Sequence, residues 1–218
     1  MTALRRAFIS ALTVMALLAA LGASAWWLPG AAHAQTAEEV SKVGALGDMA
    51  LGPKDASVTV IEYASMTCPH CAAFAKQVFA KIKTDYIDTG KVHYIFREFP
   101  LDEAALAASA LARCVAKDDA AKYFATVDTL FQQQNDLASD PHATIYRIGK
   151  EAGLSEEMVK ACVEDDPKTQ EAIMDGRGYA YDTLKVTGTP FFFVNGKPLE
   201  APPSFDEFEK LVKPLLKS

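Results

Sequence analysis

The chain has 218 residues, 50% of them hydrophobic, and carries 22 Lys and Arg against 28 Asp and Glu for a formal net charge of −6. Such a balance argues against a nucleic-acid partner, which wants a basic footprint. The N-terminus reads as a targeting segment. Arg5 and Arg6 precede an apolar run from Ala7 to about Leu28, which breaks at Pro29-Gly30 and ends in Ala32-His33-Ala34 before Gln35. That is the layout of a secretory signal with an A-x-A cleavage site, so residues 1–34 are expected to be removed. The alternative is an uncleaved anchor, because the apolar run nearly spans a bilayer. A cut after Ala23-Ser24-Ala25 is less suitable, since it leaves Trp26 and Trp27 on the product. Residues 1–34 hold two Arg and no acid, so residues 35–218 keep 20 basic against 28 acidic side chains, a net charge of −8. Those 184 residues suit one domain with an adequate core.

Residues 35–50 are polar and Gly-containing, with a short helical pattern near Ala37–Val43, and read as a lead-in. Ser57 to Tyr63 is β-branched and mostly apolar, which marks a buried strand. From Pro69 to about Asp88, Phe74, Val78, Phe79, Ile82 and Ile87 recur at helical spacing, and Gly90 closes the segment. Lys91 to Phe99 is a second strand, ended by Pro100. Residues 101–184 then lack a convincing strand. Asp102 caps a helix through about Cys114, and helical patterns follow near 118–134, 141–152, 155–163 and 167–185. Phe191 to Val194 is a short apolar run, Asn195-Gly196 is a hairpin signal, and Ser204 begins a last amphipathic helix. The expected class is therefore α/β: a central mixed sheet flanked by helices, with an all-helical subdomain inserted at about 101–170.

All four cysteines, Cys68, Cys71, Cys114 and Cys162, fall after residue 34. Four cysteines in an exported chain permit two disulfides in any of three pairings. Cys68-Pro69-His70-Cys71 sits where a strand hands over to a helix. There the unpaired N–H groups and the macrodipole favour an anion, which lowers a thiol pKa. The spacing lets the second thiol close a disulfide, and Pro69 suits a first helical turn. His70 adds a donor and partial positive charge beside Cys68. A stabilised thiolate favours the reduced form and makes the disulfide more oxidising. The competing reading is a zinc site on Cys68, His70 and Cys71, but Cys114 and Cys162 supply no second ligand pair at zinc spacing. No metal and no organic cofactor is expected.

The run from Val60 to Cys71 resembles the active-site strand and helix start of the DsbA family of thiol–disulfide oxidoreductases. Thr187-Gly188-Thr189-Pro190-Phe191-Phe192-Phe193-Val194-Asn195-Gly196 resembles its second signature, and Pro190 lies 119 residues after Cys71. With the helical insertion, the resemblance covers the whole of 35–218 and implies a thioredoxin fold. It implies Cys68 as nucleophile, Cys71 as buried resolving thiol, and Pro190 as a cis-proline that turns the Thr189 backbone towards a substrate chain. The Thr189 hydroxyl is expected near a cysteine sulfur. Glu62, odd in an apolar strand, is expected to point inward and exchange a proton with Cys71; an exposed Glu paired with a Lys is the other reading. Cys114 and Cys162 are read as a structural disulfide bracing the insertion, with a regulatory pair or two free thiols as alternatives. His93 and His142 are read as satisfied or surface residues, and Met66 and Phe191 as part of a shallow apolar surface near Cys68.

The implied activity is donation of disulfides to reduced exported proteins in the periplasm, with re-oxidation by a quinone-linked membrane partner of the DsbB kind. Two other functions compete. Thr before the cis-proline, where the best-known DsbA has Val, resembles the isomerase or reductase branch. The roughly 20 residues between Gln35 and the first strand are too few for a dimerisation domain, so a monomer is expected. The other competitor is a non-catalytic chaperone or metal-handling module on the same fold.

Overall fold

The computed structural model describes residues 35–199 and 204–216; the expected signal segment lies outside them. Five strands form one mixed sheet in the order β1-β3-β2-β4-β5. They are β1 (Met49–Leu51), β2 (Val58–Ala64), β3 (Val92–Glu98), β4 (Phe191–Val194) and β5 (Lys197–Leu199). The β2–β3 pair is parallel and the other three pairs are antiparallel. A parallel pair needs a crossover, supplied here by the helical segment that begins at Pro69. The β4–β5 pair closes through Asn195 and Gly196, both at positive φ (47° and 77°), the backbone that a two-residue hairpin turn requires.

The crossover helix, α2, is not uniform. Pro69–Phe74 is α-helical, Ala75–Phe79 is π-helical, Ala80–Ile82 returns to α, and Lys83–Ile87 is again π-helical. A short α1 (Ala37–Ser41) precedes the sheet, with a capping box between Thr36 and Glu39. Between β3 and β4 run six helices: α3 (Glu103–Ala116), α4 (Ala120–Gln132), α5 (Gln134–Ser139), α6 (Pro141–Glu151), α7 (Glu156–Val163) and α8 (Pro167–Asp182). Asp102, Asp119, Asp140, Ser155 and Asp166 cap α3, α4, α6, α7 and α8, each accepting from a backbone N–H three residues on. After β5 comes α9 (Phe205–Val212).

Because side chains alternate across a strand, β2 feeds two cores. Val58, Val60 and Ala64 face α2 and most of the helical block, joined by Tyr94, Phe96 and Phe192 from the neighbouring strands. Ile61 and Tyr63 face the other way, onto Val40, Ala180, Leu184, Val186 and Phe193. Glu62 shares the parity of Val58 and Val60, in register with Phe96 on β3 and Phe192 on β4. It therefore points into the first core.

Two details depart from the sequence reading. The lead-in carries a strand, β1, which pairs with the edge of β3. The helical pattern over 118–134 breaks at Gln133 into α4 and α5. The sequence reading also passes over Arg113, which is buried on α3 (9% exposed). Its guanidinium donates to Glu98 from Nη2 at 2.8 Å and to the carbonyls of Leu46 and Gly47 from Nη1. Tyr123 also donates to Glu98. This network fastens α3 and α4 to the end of β3, and breaking such a buried pair costs about 3–5 kcal/mol.

Candidate active site

Cys68 occupies the N-cap of α2 with extended backbone (φ −79°, ψ 118°), and Pro69 takes the first helical position. Pro69 and His70 are exposed, whereas Cys68 is 5% exposed and Cys71 is fully buried. Both are free thiols. The Thr189–Pro190 peptide is cis, and the Cys68 thiol donates to the Thr189 carbonyl at 3.2 Å across a sequence separation of 121. The loop before β4 is therefore folded against the start of α2. Beside them a groove of about 720 Å3 runs along His70, Lys185 and the segment from Thr187 to Phe191.

The two thiols are held in opposite senses. The Cys68 pKa is lowered to about 5. The largest cause is a hydrogen bond from the Cys71 thiol; the Thr189 hydroxyl and the backbone N–H groups of Cys71 and His70 add to it, while burial works the other way. In the structure Thr189 Oγ1 is buried and makes no hydrogen bond, so its effect on Cys68 is that of a hydroxyl free to turn towards the sulfur as charge develops there. The Cys71 thiol is pushed up, first by burial, then by its bond to Cys68 and by the nearby Glu62 carboxyl. At neutral pH the pair thus holds one thiolate and one thiol, the division of labour that disulfide exchange needs.

Glu62 lies beneath them, 4% exposed. Burial raises its pKa to about 7, and the Tyr94 hydroxyl, donating to Oε2 at 2.6 Å, opposes the shift. A carboxyl poised near neutrality can give or take a proton. It is neither exposed nor paired with a lysine. Tyr94 is a site residue that sequence reasoning missed, since a tyrosine at an inward strand position looks like ordinary core.

A second missed residue is Gln134, at the start of α5. Its Nε2 donates to the Met66 carbonyl at 2.8 Å and the Cys68 carbonyl at 3.0 Å, tying the helical block to the active-site turn. Thr67 adds a further tie, donating to the α3 cap Asp102 at 2.7 Å. Met66 is fully buried, so it cannot belong to an apolar docking surface; Phe191 is half-buried and does line the groove. Leu101 is 50% exposed and follows β3 in the loop that reaches Asp102. His93 caps the Gly52 carbonyl at 3.1 Å, and His142 stacks on Tyr146, far in the chain from the thiols. Cys114 and Cys162 are bonded to one another, with Cα atoms 5.9 Å apart. Among the described residues, no three His, Cys, Asp or Glu side chains are gathered to hold a metal ion.

Comparison with known proteins agrees with this geometry. A family model described as thioredoxin matches residues 45–214. A putative protein-disulfide oxidoreductase of Rickettsia bellii is 38% identical over 68% of this chain and 57% of its own length. The chain thus spans little more than half of that relative. Disulfide bond formation protein D of Bacillus subtilis is 27% identical, with 78% of each chain covered. Among solved structures, alpha-DsbA1 of Wolbachia pipientis superposes with a TM-score of 0.74 at 31% identity, covering 83% of this chain and 96% of that one.

Proposed function

We propose, for a chain that belongs to the thioredoxin family and is a disulfide oxidoreductase of the DsbA type, that its role is to donate disulfides to exported proteins through Cys68 and Cys71. The observation that carries this reading is the opposed tuning of the two thiols, Cys68 held at about 5 and Cys71 pushed up. Stabilising the Cys68 thiolate stabilises the dithiol form and so makes the disulfide a stronger oxidant.

In the oxidised chain, a client thiolate attacks the Cys68 sulfur, and the electron pair of the broken S–S bond leaves with Cys71. Glu62 gives Cys71 its proton. A second client thiolate then attacks the client sulfur of the mixed disulfide and expels Cys68. The client leaves oxidised by two electrons and the enzyme leaves reduced. Cys68 is the better leaving group because its thiolate is the more stable one. Client backbone lies in the groove beside Thr189 and Pro190, which His70 and Phe191 also line.

The same reading places the chain in the periplasm as a monomer, exported by residues 1–34. It has no metal or organic cofactor, and a DsbB-like quinone-linked membrane partner re-oxidises it. No helix among the described residues is long and apolar enough to cross a membrane. Cys114–Cys162 braces the helical block. The reduction potential tests the assignment: the Cys68–Cys71 pair is equilibrated with glutathione buffers and the oxidised fraction read by alkylation. A value near about −120 mV is expected of a donor, whereas one near about −270 mV would make the chain a reductase.

A further inference from the structure

The exchange reaction proposed above, on which this inference rests, needs Glu62 protonated when Cys71 leaves, and a carboxyl poised near neutrality must take that proton from solvent whenever it starts ionised. On the side of the thiols it is capped by buried Cys71. A crevice reaches it instead between α2 and α4. It encloses about 20 Å3, with Glu62 and Tyr94 among its lining residues, walls that include Phe79, Phe96, Phe124 and Phe131, and Asp128 on its border. Glu62 and Tyr94 are buried and Asp128 is exposed, so the crevice joins a buried carboxyl to a solvated one. Its α2 wall, Ala75 and Phe79, bounds the first π-helical turn, a feature that recurs at functional sites. Roughly 10–15 Å3 holds one water when polar partners are present. Here the partners are the Glu62 carboxyl, whose Oε2 is taken by Tyr94, the Tyr94 hydroxyl, and Asp128, whose Oδ2 accepts from Gln132 at 2.7 Å.

We propose that Asp128 is the outer end of a proton path: a water in this crevice passes protons between Asp128 and Glu62, and Glu62 passes them to and from Cys71. When Cys71 leaves as thiolate it takes the Glu62 proton. Glu62 takes one from the water, the water takes one from Asp128, and Asp128 is refilled by solvent. Re-oxidation runs the transfers backwards. The titratable groups around Glu62 are Cys68 and Cys71 of α2, Tyr94 of β3 and Tyr123 of α4; β4 contributes only Phe192. Tyr123 is committed to Glu98, which leaves the crevice as the route.

The test is rapid-mixing single turnover of the oxidised chain with excess reduced dithiol peptide, from pH 5.5 to 9, in H2O and D2O. Above pH 7, where Glu62 starts ionised and must be protonated before Cys71 leaves, Asp128→Asn should slow loss of the Cys68–Cys71 disulfide by about tenfold, a fraction of what general acid catalysis supplies, with a larger solvent isotope effect; below about pH 6 it should change little. Asp128→Glu should restore the rate, and the reduction potential should stay unchanged, because a path alters rates and not end states. Ala75→Leu, which fills the crevice with both carboxyls intact, should reproduce the slowing. Wild-type rates in Asp128→Asn or Ala75→Leu, with Glu62→Gln slow, would overturn the path and leave the proposed function standing. A wild-type chain that fails to exchange with the peptide at all would sink the function itself.

Discussion

Cys68 and Cys71 start one helix, whereas Cys114 and Cys162 lie near the ends of two, in the last turns of α3 and α7. The helix macrodipole favours an anion at its first turn and disfavours one at its last. Opening the first pair releases a sulfur whose thiolate is welcomed; opening the second releases two in places that resist charge. On the proposed function, the first pair is the one that gives up its disulfide and the second the one that keeps it. Chain separation points the same way, since three residues constrain an unfolded chain little and 48 constrain it strongly. One element thus serves two ends according to which helix terminus carries it.

The sharpest way to break this comparison is to exchange the roles by substitution. Cys68→Ser should lower disulfide transfer to a reduced peptide by a factor on the order of 10^3 or more. Cys114→Ala/Cys162→Ala together should leave it within about threefold. Comparable losses from both would mean that the second pair takes part in exchange. In urea unfolding the order reverses: the double variant should lose about 3–4 kcal/mol, as expected for releasing a loop of this length.

A pH series sharpens the same contrast on the buried side of the site. Burial raises the folded pKa of Glu62 from 4.5 to about 7. Its contribution is present in full below about 4.5 and is lost as pH rises through about 7, because the unfolded chain ionises first. In the oxidised protein, where the active-site thiols do not titrate and Cys68 charge no longer adds to the shift, this window should cost about 2–3 kcal/mol. Glu62→Gln should flatten the profile. A profile as steep as wild type would place the titration elsewhere. The smallest effect belongs to Gln134→Ala, which unties two carbonyls at the active-site turn and should cost about 1–2 kcal/mol, with a rate loss of about threefold.

Much of this was legible in the sequence, and particular residues show why the rest was not. The strand–Cys-Pro-His-Cys–helix join, the Gly-Thr-Pro segment and the Asn195-Gly196 turn are local signals with few other meanings. The β1 strand is three residues long, too short for alternation to register. The π-helical turns of α2 shift hydrogen bonds by one residue without altering composition. Arg113 and Glu98 stand 15 residues apart and look like two surface charges until the fold brings them together. Met66 was expected on the surface beside Cys68, yet the turn before the helix swings it inward, fully buried. Gln134 and Tyr94 act through contacts 68 and 32 residues away, which no motif spells out.

The most direct test of the central claim is to titrate the Cys68 thiolate in the reduced protein, by its ultraviolet absorbance or by alkylation rate. The stabilisation that a depressed pKa confers on the reduced fold is present in full above the ordinary thiol pKa and is lost as pH falls through the folded value. A midpoint of about 5 is the predicted result. A midpoint near the ordinary thiol value of about 8.5 would contradict the account, because the N-terminus of α2 would then hold a cysteine like any other.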